Sequence, residues 1–235
     1  MRRGSSRSAA KHGGAQHGTA KHGTAKHGAV QHGAVQHGAA KHGGARQIRI
    51  IAGSHRGRRL SVPDAPGLRP TGDRIRETLF NWLQPVIDSA RCLDAFAGSG
   101  VLGLEALSRG AAEVVALERS PAVAEALTRS AAQLGLEALQ VVNSDALNWL
   151  RDTPVRPFDI LFLDPPFDTA ATLLPPLFTL LEQRGWVRNG GLIYLEQERR
   201  ATAPPLSETW QPQRQQQSGE VACGLWRFEV RDARC

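Results

Sequence analysis

Beyond residue 46 the chain reads as short apolar runs separated by longer segments with helical spacing. Runs at 92–96, 114–117, 139–142, 160–163 and 192–195 have the length of strands. Their near-continuous apolar character predicts burial on both faces, as in a parallel sheet. Residues 73–83 repeat apolar side chains at Ile75, Leu79, Phe80 and Leu83, which predicts a helix with Thr71 or Gly72 near its cap. A helix over 101–108 is closed by Gly110, and one over 121–134 carries Pro121 in its first turn. A short helix is expected over 145–150. A longer one is expected over 169–183, where Pro175 and Pro176 should kink the helix or delay its start. Residues 47–62 read as a hairpin turning near 54–57, and 63–70 as a loop with three prolines. Residues 210–217 and 221–230 read as an antiparallel pair around Ser218 and Gly219. Strands alternating with helices predict an α/β fold. It would have a mostly parallel seven-stranded sheet with an antiparallel edge hairpin, preceded by an N-terminal β-hairpin.

The first 46 residues differ in kind. Residues 11–45 are seven pentapeptides with His at 12, 17, 22, 27, 32, 37 and 42, each followed by Gly. The tract has no aromatic residue and cannot bury enough apolar surface to offset its ordering entropy. Residues 1–46 are therefore expected to form a disordered tail, and 47–235 one domain. Imidazoles are good ligands for Zn²⁺, Cu²⁺ or Ni²⁺. A five-residue step, however, rotates successive side chains by about 140° in a helix, so the histidines share no face. The tract reads better as a non-catalytic extension that gains positive charge, and nonspecific RNA affinity, as its imidazoles protonate.

Charge divides the chain the same way. There are 29 Lys and Arg against 22 Asp and Glu, a net of +7. Eight of the basic residues and none of the acidic ones lie in 1–46, which leaves 21 against 22, a net of −1, beyond it. Overall basicity is thus a property of the tail; only the placement of the remaining arginines can speak for nucleic acid. Cys92, Cys223 and Cys235 show no paired spacing, which argues against a disulfide framework and for a reducing, cytoplasmic setting. No apolar segment follows Arg2-Arg3, and no run approaches the roughly 18 residues of a membrane span.

Two segments carry candidate chemistry. The first is FDILFLDPPF, 158–167. An apolar strand ends in two prolines that can neither continue a ladder nor donate to it. Asp164, held extended before Pro165, stands in a stiff loop at a strand's carboxyl end, where open α/β sheets bind ligands. A carboxylate, a proline carbonyl and the aromatic face of Phe167 together suit a planar, amine-bearing ring. The second is DAFAGSG, 94–100, a strand end, glycine turn and helix start. Residues 98–103 also spell G-x-G-x-x-G, and Glu118 follows Gly98 by twenty residues, the spacing of a ribose-binding acid in dinucleotide sites. Two features oppose that reading: Asp94 would repel a pyrophosphate, and the Asp164 strand has no role in a nicotinamide site.

Asp94 to Gly100, Glu118, Asp145 and Asp164 to Phe167, in that order, resemble the Rossmann-like class I S-adenosylmethionine-dependent methyltransferases that modify exocyclic amines. RIIAGSHRGRRLSVPDAPGLRPTGDRIRETLFNWL (49–83) followed by LDAFAGSGVLGLEALSRGA (93–111) resembles the bacterial 16S ribosomal RNA guanine-N2 methyltransferase family, and the likeness covers nearly all of 47–235. The resemblance implies S-adenosyl-L-methionine as cofactor. It implies methylation of N2 of guanine 966 in 16S ribosomal RNA, free or in an assembling small subunit, with no metal, membrane or obligate protein partner. It places Asp94, Phe96 and the Gly98 to Gly100 turn at the methionine end of the cofactor. Glu118 would take the ribose hydroxyls, and Asp145 with the Ala146 N–H the adenine. Asp145 also suits a cap for the helix that follows it, and both roles can hold together. Asp164 and the Pro165 carbonyl would each accept one N–H of the target amine. Phe167 would stack on the flipped base, worth ~1–3 kcal/mol.

RNA must be held from elsewhere. Arg56, Arg58 and Arg59 crowd the hairpin turn, and Arg69 and Arg74 follow, all candidates for phosphate contacts or for a solvated basic face. Arg74 and Arg76 should face opposite sides of their helix, with Asp73 and Glu77 as structural partners for arginines. Two other readings remain: an amino-methyltransferase acting on adenine or cytosine in DNA, and a non-catalytic RNA-binding assembly factor.

Overall fold

The computed structural model describes residues 46–62, 72–202 and 206–230. The tail expected over 1–46 lies outside these residues apart from Arg46, as do the proline loop, Arg69, Thr71 and Cys235.

A two-stranded antiparallel hairpin comes first: β1 (Arg46–Arg49) pairs with β2 (Arg59–Val62). Next is α1 (Asp73–Leu83), capped by Gly72 without a side-chain bond. The main sheet then builds through β3 (Arg91–Asp94), α2 (Val101–Ser108), β4 (Glu113–Glu118), α3 (Pro121–Leu134) and β5 (Leu139–Asn143). It continues with α4 (Ala146–Asp152), β6 (Phe158–Leu163), α5 (Phe167–Arg184), β7 (Val187–Glu198), β8 (Trp210–Ser218) and β9 (Val221–Phe228). Strand order is β5-β4-β3-β6-β7-β9-β8. The five strands from β5 to β7 are parallel, and β9 lies antiparallel between β7 and β8. The predicted Rossmann-like architecture is the one observed.

Side chains alternate between two cores, one on each face of the sheet. Cys92, Ile160, Phe162 and Tyr194 join α1, α2, α3 and the hairpin on one face. Leu93, Leu161, Leu163 and Ile193 join α4 and α5 on the other. A register shift between Phe158 and Ile160 sends Phe158 to the second core, where its ring lies 6.0 Å from Trp186. The Trp186 indole N–H donates to the Leu150 carbonyl, which satisfies a polar atom that burial would otherwise penalise.

Helix α5 corrects one expectation. It begins at Phe167, earlier than expected, and runs through both Pro175 and Pro176. Those prolines deprive the carbonyls of Ala171 and Thr172 of helical donors. All four residues are exposed, so water can serve these carbonyls, while Leu174, Leu177, Phe178 and Leu181 bury the opposite side.

The hairpin is fastened to α2 by a charge that the sequence reading passed over. Every residue of α2 is buried, including Glu105 at 0% exposure. Its carboxylate accepts the Ile51 and Ala52 N–H groups at 2.8 and 3.0 Å and Arg109 Nε at 2.8 Å. Arg76, 1% exposed, approaches the same carboxylate at 3.5 Å, pairs with Asp73 and donates to the Arg49 carbonyl. One helical turn farther on, Ser108 accepts the Ser54 N–H on its carbonyl and the His55 N–H on its hydroxyl. Gly53 permits this approach: its φ is 82°, and a Cβ there would lie 1.7 Å from the Ser108 carbonyl oxygen.

Removing one partner of a buried ionic network strands the others without compensation. Glu105→Ala should therefore lower the unfolding free energy by about 3–5 kcal/mol in urea titrations. Glu125→Ala removes an exposed pair with Arg129 and should cost under about 1 kcal/mol. Equal effects from the two variants would show that the Glu105 clamp contributes nothing special.

Candidate active site

β3 and β6 lie side by side, but the chain leaves β3 toward β4 and β6 toward β7. A cleft of about 850 Å³ opens over their carboxyl ends. That is the expected place for a ligand in an open α/β sheet, and a volume suited to one of drug size.

Asp94 ends β3 at the floor of this cleft with 1% exposure. Its Oδ2 accepts the Gly103 N–H at 3.3 Å. Burial pushes its carboxyl up to about 7; the Gly103 and Phe96 N–H groups oppose the rise and the charge of Glu118 adds to it. Phe96, Gly98 and Ser99 form the adjoining wall. Glu118, at the end of β4, also lines the cleft, and it has a task that sequence reasoning missed. Its Oε2 accepts the Gly98 N–H at 2.9 Å and its Oε1 the Ser120 N–H at 2.7 Å. The carboxylate therefore ties the glycine turn to the neighbouring strand.

Gly100 stands apart from the other candidate cofactor-binding residues. It is buried at the cap of α2 with φ 73°, and a Cβ there would lie 2.1 Å from Leu127 Cδ1. It is absent from the cleft lining. Its positive φ and tight packing against α3 both require a glycine at this position.

Asp145 caps α4, its Oδ1 accepting the Asn148 N–H at 3.1 Å. It also lines the cleft, so capping and exposure to a ligand coexist. Ala146 follows at the first helical position, where a backbone N–H has no intrahelical acceptor. On the opposite wall stand Asp164, Pro165 and Phe167. Pro166 caps α5, and its carbonyl takes the Thr169 and Ala170 N–H groups, which holds the loop rigid. Asp164 and Phe167 are half-buried and Pro165 is buried. The cleft thus brings together every predicted catalytic and cofactor-binding residue except Gly100.

The lining includes Asp94, Glu118, Asp145, Asp164, Asp168 and Glu196, with Arg119 as its one cation among the described residues. Carboxylates crowded into a low-dielectric crevice focus a negative potential. Such a site favours a cationic ligand with hydroxyls and opposes a pyrophosphate. Glu196, from β7, was not anticipated. Its signal was an acid at the end of an apolar strand, in the sequence LIYLE.

The arginines are placed less tightly. Arg56, Arg58, Arg59 and Arg74 are exposed, whereas Arg76 is buried on the other side of α1, as expected. The hairpin turn sits where α2 and α3 end, since Ser54 binds Ser108 and His55 Nε2 lies 3.1 Å from the Leu134 carbonyl. Arg56 and Arg58 are thus separated from the cleft by roughly the 12 Å length of α2. The returning strand β2 comes closer: Ser61 shares a shallow dent with Gly98 and Ser99.

Residues 48–227 match the family model described as "Conserved hypothetical protein 95". The chain is 49% identical over 184 residues to "Ribosomal RNA small subunit methyltransferase D" of Escherichia coli strain K12, covering 78% of this chain and 91% of that one. It aligns with the solved structure "Putative methyltransferase yhhF" from Escherichia coli at a TM-score of 0.73 and 46% identity, over 79% of this chain and 100% of the other. An RNA methyltransferase from Salinibacter ruber, solved with S-adenosyl-L-homocysteine, shares the fold at a TM-score of 0.51 and 15% identity, over 68% and 94% of the respective chains.

The raised Asp94 carboxyl makes a pH prediction. Unfolded, the group titrates near 3.8; folded, near 7. The folded state holds the extra proton in between, so this group's contribution to stability is complete below about pH 4 and is lost as pH rises through 7. Asp94→Asn should abolish that loss. In thermal melts from pH 4 to 8 without cofactor, the variant should gain on the parent as pH rises, by about 2–4 kcal/mol. A constant difference across the range would contradict the burial argument.

Proposed function

The chain belongs to the ribosomal RNA small subunit methyltransferase D family, and from that premise we propose that it methylates the N2 amine of a guanine in 16S ribosomal RNA, guanine 966 by family likeness. It is an S-adenosylmethionine-dependent RNA methyltransferase acting on ribosomal RNA. What carries the finer reading is one juxtaposition: Asp164, Pro165 and Phe167 share a cleft with the acidic, glycine-turned wall of Asp94, Gly98 and Glu118.

The residues present fit the cofactor. The cleft is large enough, and its carboxylates match the two positive charges of a sulfonium amino acid. In this reading Asp94 faces the ammonium beside Phe96 and Gly98, Glu118 meets the ribose, and Asp145 with the Ala146 N–H meets the adenine. When bound, S-adenosylmethionine supplies a sulfonium methyl for in-line transfer. Asp164 and the Pro165 carbonyl each accept one hydrogen of the guanine N2 amine, which turns the nitrogen lone pair toward that methyl. Phe167 stacks on the flipped base and holds its plane. The Asp164 carboxylate would take the proton that the amine must shed on methylation. Positioning and preorganised acceptors supply most of the acceleration. Arg59 and Arg74 would contact phosphates outside the cleft, with Arg56 and Arg58 farther along the hairpin turn.

Asp164→Ala should lower kcat by at least about 10²-fold while leaving cofactor affinity unchanged in calorimetry. Glu118→Ala should weaken cofactor binding by about tenfold or more, because the ribose acceptor and the tether of the glycine turn are lost together. Mass-spectrometric mapping of ribosomal RNA from a strain lacking this gene should show one guanine without its N2 methyl. Transfer of labelled methyl to DNA in preference to ribosomal RNA would overturn the reading, as would full activity of Asp164→Ala.

A further inference from the structure

Glu196 has no part in the chemistry above, yet it is the acid nearest in register to Asp164. β6 and β7 pair in parallel with Phe162 opposite Tyr194 and Leu163 opposite Leu195. One step farther brings Asp164 level with Glu196, on strands about 4.8 Å apart. Side chains alternate along a strand, and Phe162 and Tyr194 share one core, so Asp164 and Glu196 project from the same face. Glu196 is only 5% exposed and lines the cleft. Its Oε2 accepts the Tyr194 hydroxyl at 2.9 Å. Burial, then the charge of Glu196, raises the Tyr194 pKa well above the usual phenol value, so this donor stays protonated. That hydrogen bond fixes the orientation of the carboxylate. The result is a held acid on the cleft wall, one strand beyond the residue placed at the amine.

A guanine that enters this cleft with N2 leading carries a third donor on the same edge, the N1–H. Buried without an acceptor, that N–H would oppose binding. We propose that Glu196 is a specificity-determining residue whose carboxyl group accepts the N1–H of the target guanine, beside the N2 amine held at Asp164. The inference rests on the guanine-N2 reading above. It explains why an acid of β7 lines the cleft beside the residue that follows β6: guanine alone among the RNA bases offers adjacent ring and amine donors on its pairing edge. Adenine and cytosine each present a ring-nitrogen acceptor beside the amine, which a carboxylate would repel. Tyr194 then acts as a positioning residue for Glu196.

2-Aminopurine separates this role from a structural one. It keeps the amine that receives the methyl but has an acceptor at N1. A ribosomal RNA fragment would be prepared with guanine or 2-aminopurine at the target position and assayed by kcat/KM. The parent enzyme should prefer guanine by at least about 100-fold. Glu196→Gln should lose about 100-fold on guanine and hold or gain on 2-aminopurine, since its amide can donate to N1. Cofactor affinity by calorimetry should stay unchanged. Tyr194→Phe should shrink the same preference by about tenfold, and it decides the matter if Glu196→Gln fails to fold. Equal losses on both substrates, or an unchanged preference, overturn the inference while leaving the guanine-N2 reading intact. Failure of the parent enzyme to methylate guanine N2 in any ribosomal RNA fragment overturns the reading beneath it instead.

Discussion

The molecule depends on one topological constraint: β3 and β6 are hydrogen-bonded neighbours, but the chain departs from them in opposite directions. No connection crosses their carboxyl ends, so a gap forms there that the helices on either face cannot close. Four further consequences meet in that gap. The turn after β3 must be tight, which accounts for its glycines. The loop after β6 must be stiff, which accounts for its prolines. β4 ends level with the turn and ties it through Glu118, and β7 brings Glu196 into the same cleft as Asp164. The geometry of this cleft is strand register read out at one end of a sheet.

Helix α2 couples that cleft to the outer surface. Its first residues carry the glycine turn, and its last ones carry the clamp of Glu105 and Ser108 on the hairpin. The arginine-bearing turn is therefore held by the same rigid element that shapes the glycine-turn wall of the cleft. Charge is divided between them. The cleft is acidic, whereas Arg56, Arg58 and Arg59 are exposed beyond it. In the proposed reading an acidic cleft admits a cationic donor and a neutral base and turns phosphates away. The phosphates are met outside, which is the arrangement a flipped nucleotide requires.

The strands and helices are legible in the sequence because their local signals agree with the fold: apolar runs of strand length, Pro121 at a helix start, Gly110 and Gly135 at helix ends. The exceptions have physical causes. The double proline inside α5 looks like a break, but it falls on a solvent face where its cost is small. Gly100 looks like a ligand glycine because the G-x-G pattern is shared by tight packing and close approach, and only the position of Leu127 separates them. Glu105 and Glu196 look like ordinary acids within apolar elements. For Glu105, the Arg109 partner is local at i+4, but Ile51, Ala52 and Arg76 are remote in sequence; for Glu196, the Tyr194 hydroxyl two residues away gives no sign of the cleft that Glu196 lines.

The buried acids share one physical logic with different outcomes. Glu105 is satisfied by two backbone donors and two guanidinium groups, so its burial strengthens the fold. Asp94 is as deeply buried, and the backbone N–H groups of Gly103 and Phe96 only partly oppose the desolvation, so burial pushes its carboxyl up to about 7. A carboxyl held this way costs stability in the empty protein whenever it ionises. Once ionised, the carboxyl is compensated only if a cation arrives to share the site. The strained acid is at the floor of the cleft and the satisfied one is beneath the hairpin. Stability is thus spent at the position where the proposed ligand's ammonium would restore it, which is how a pocket prefers its cofactor over water.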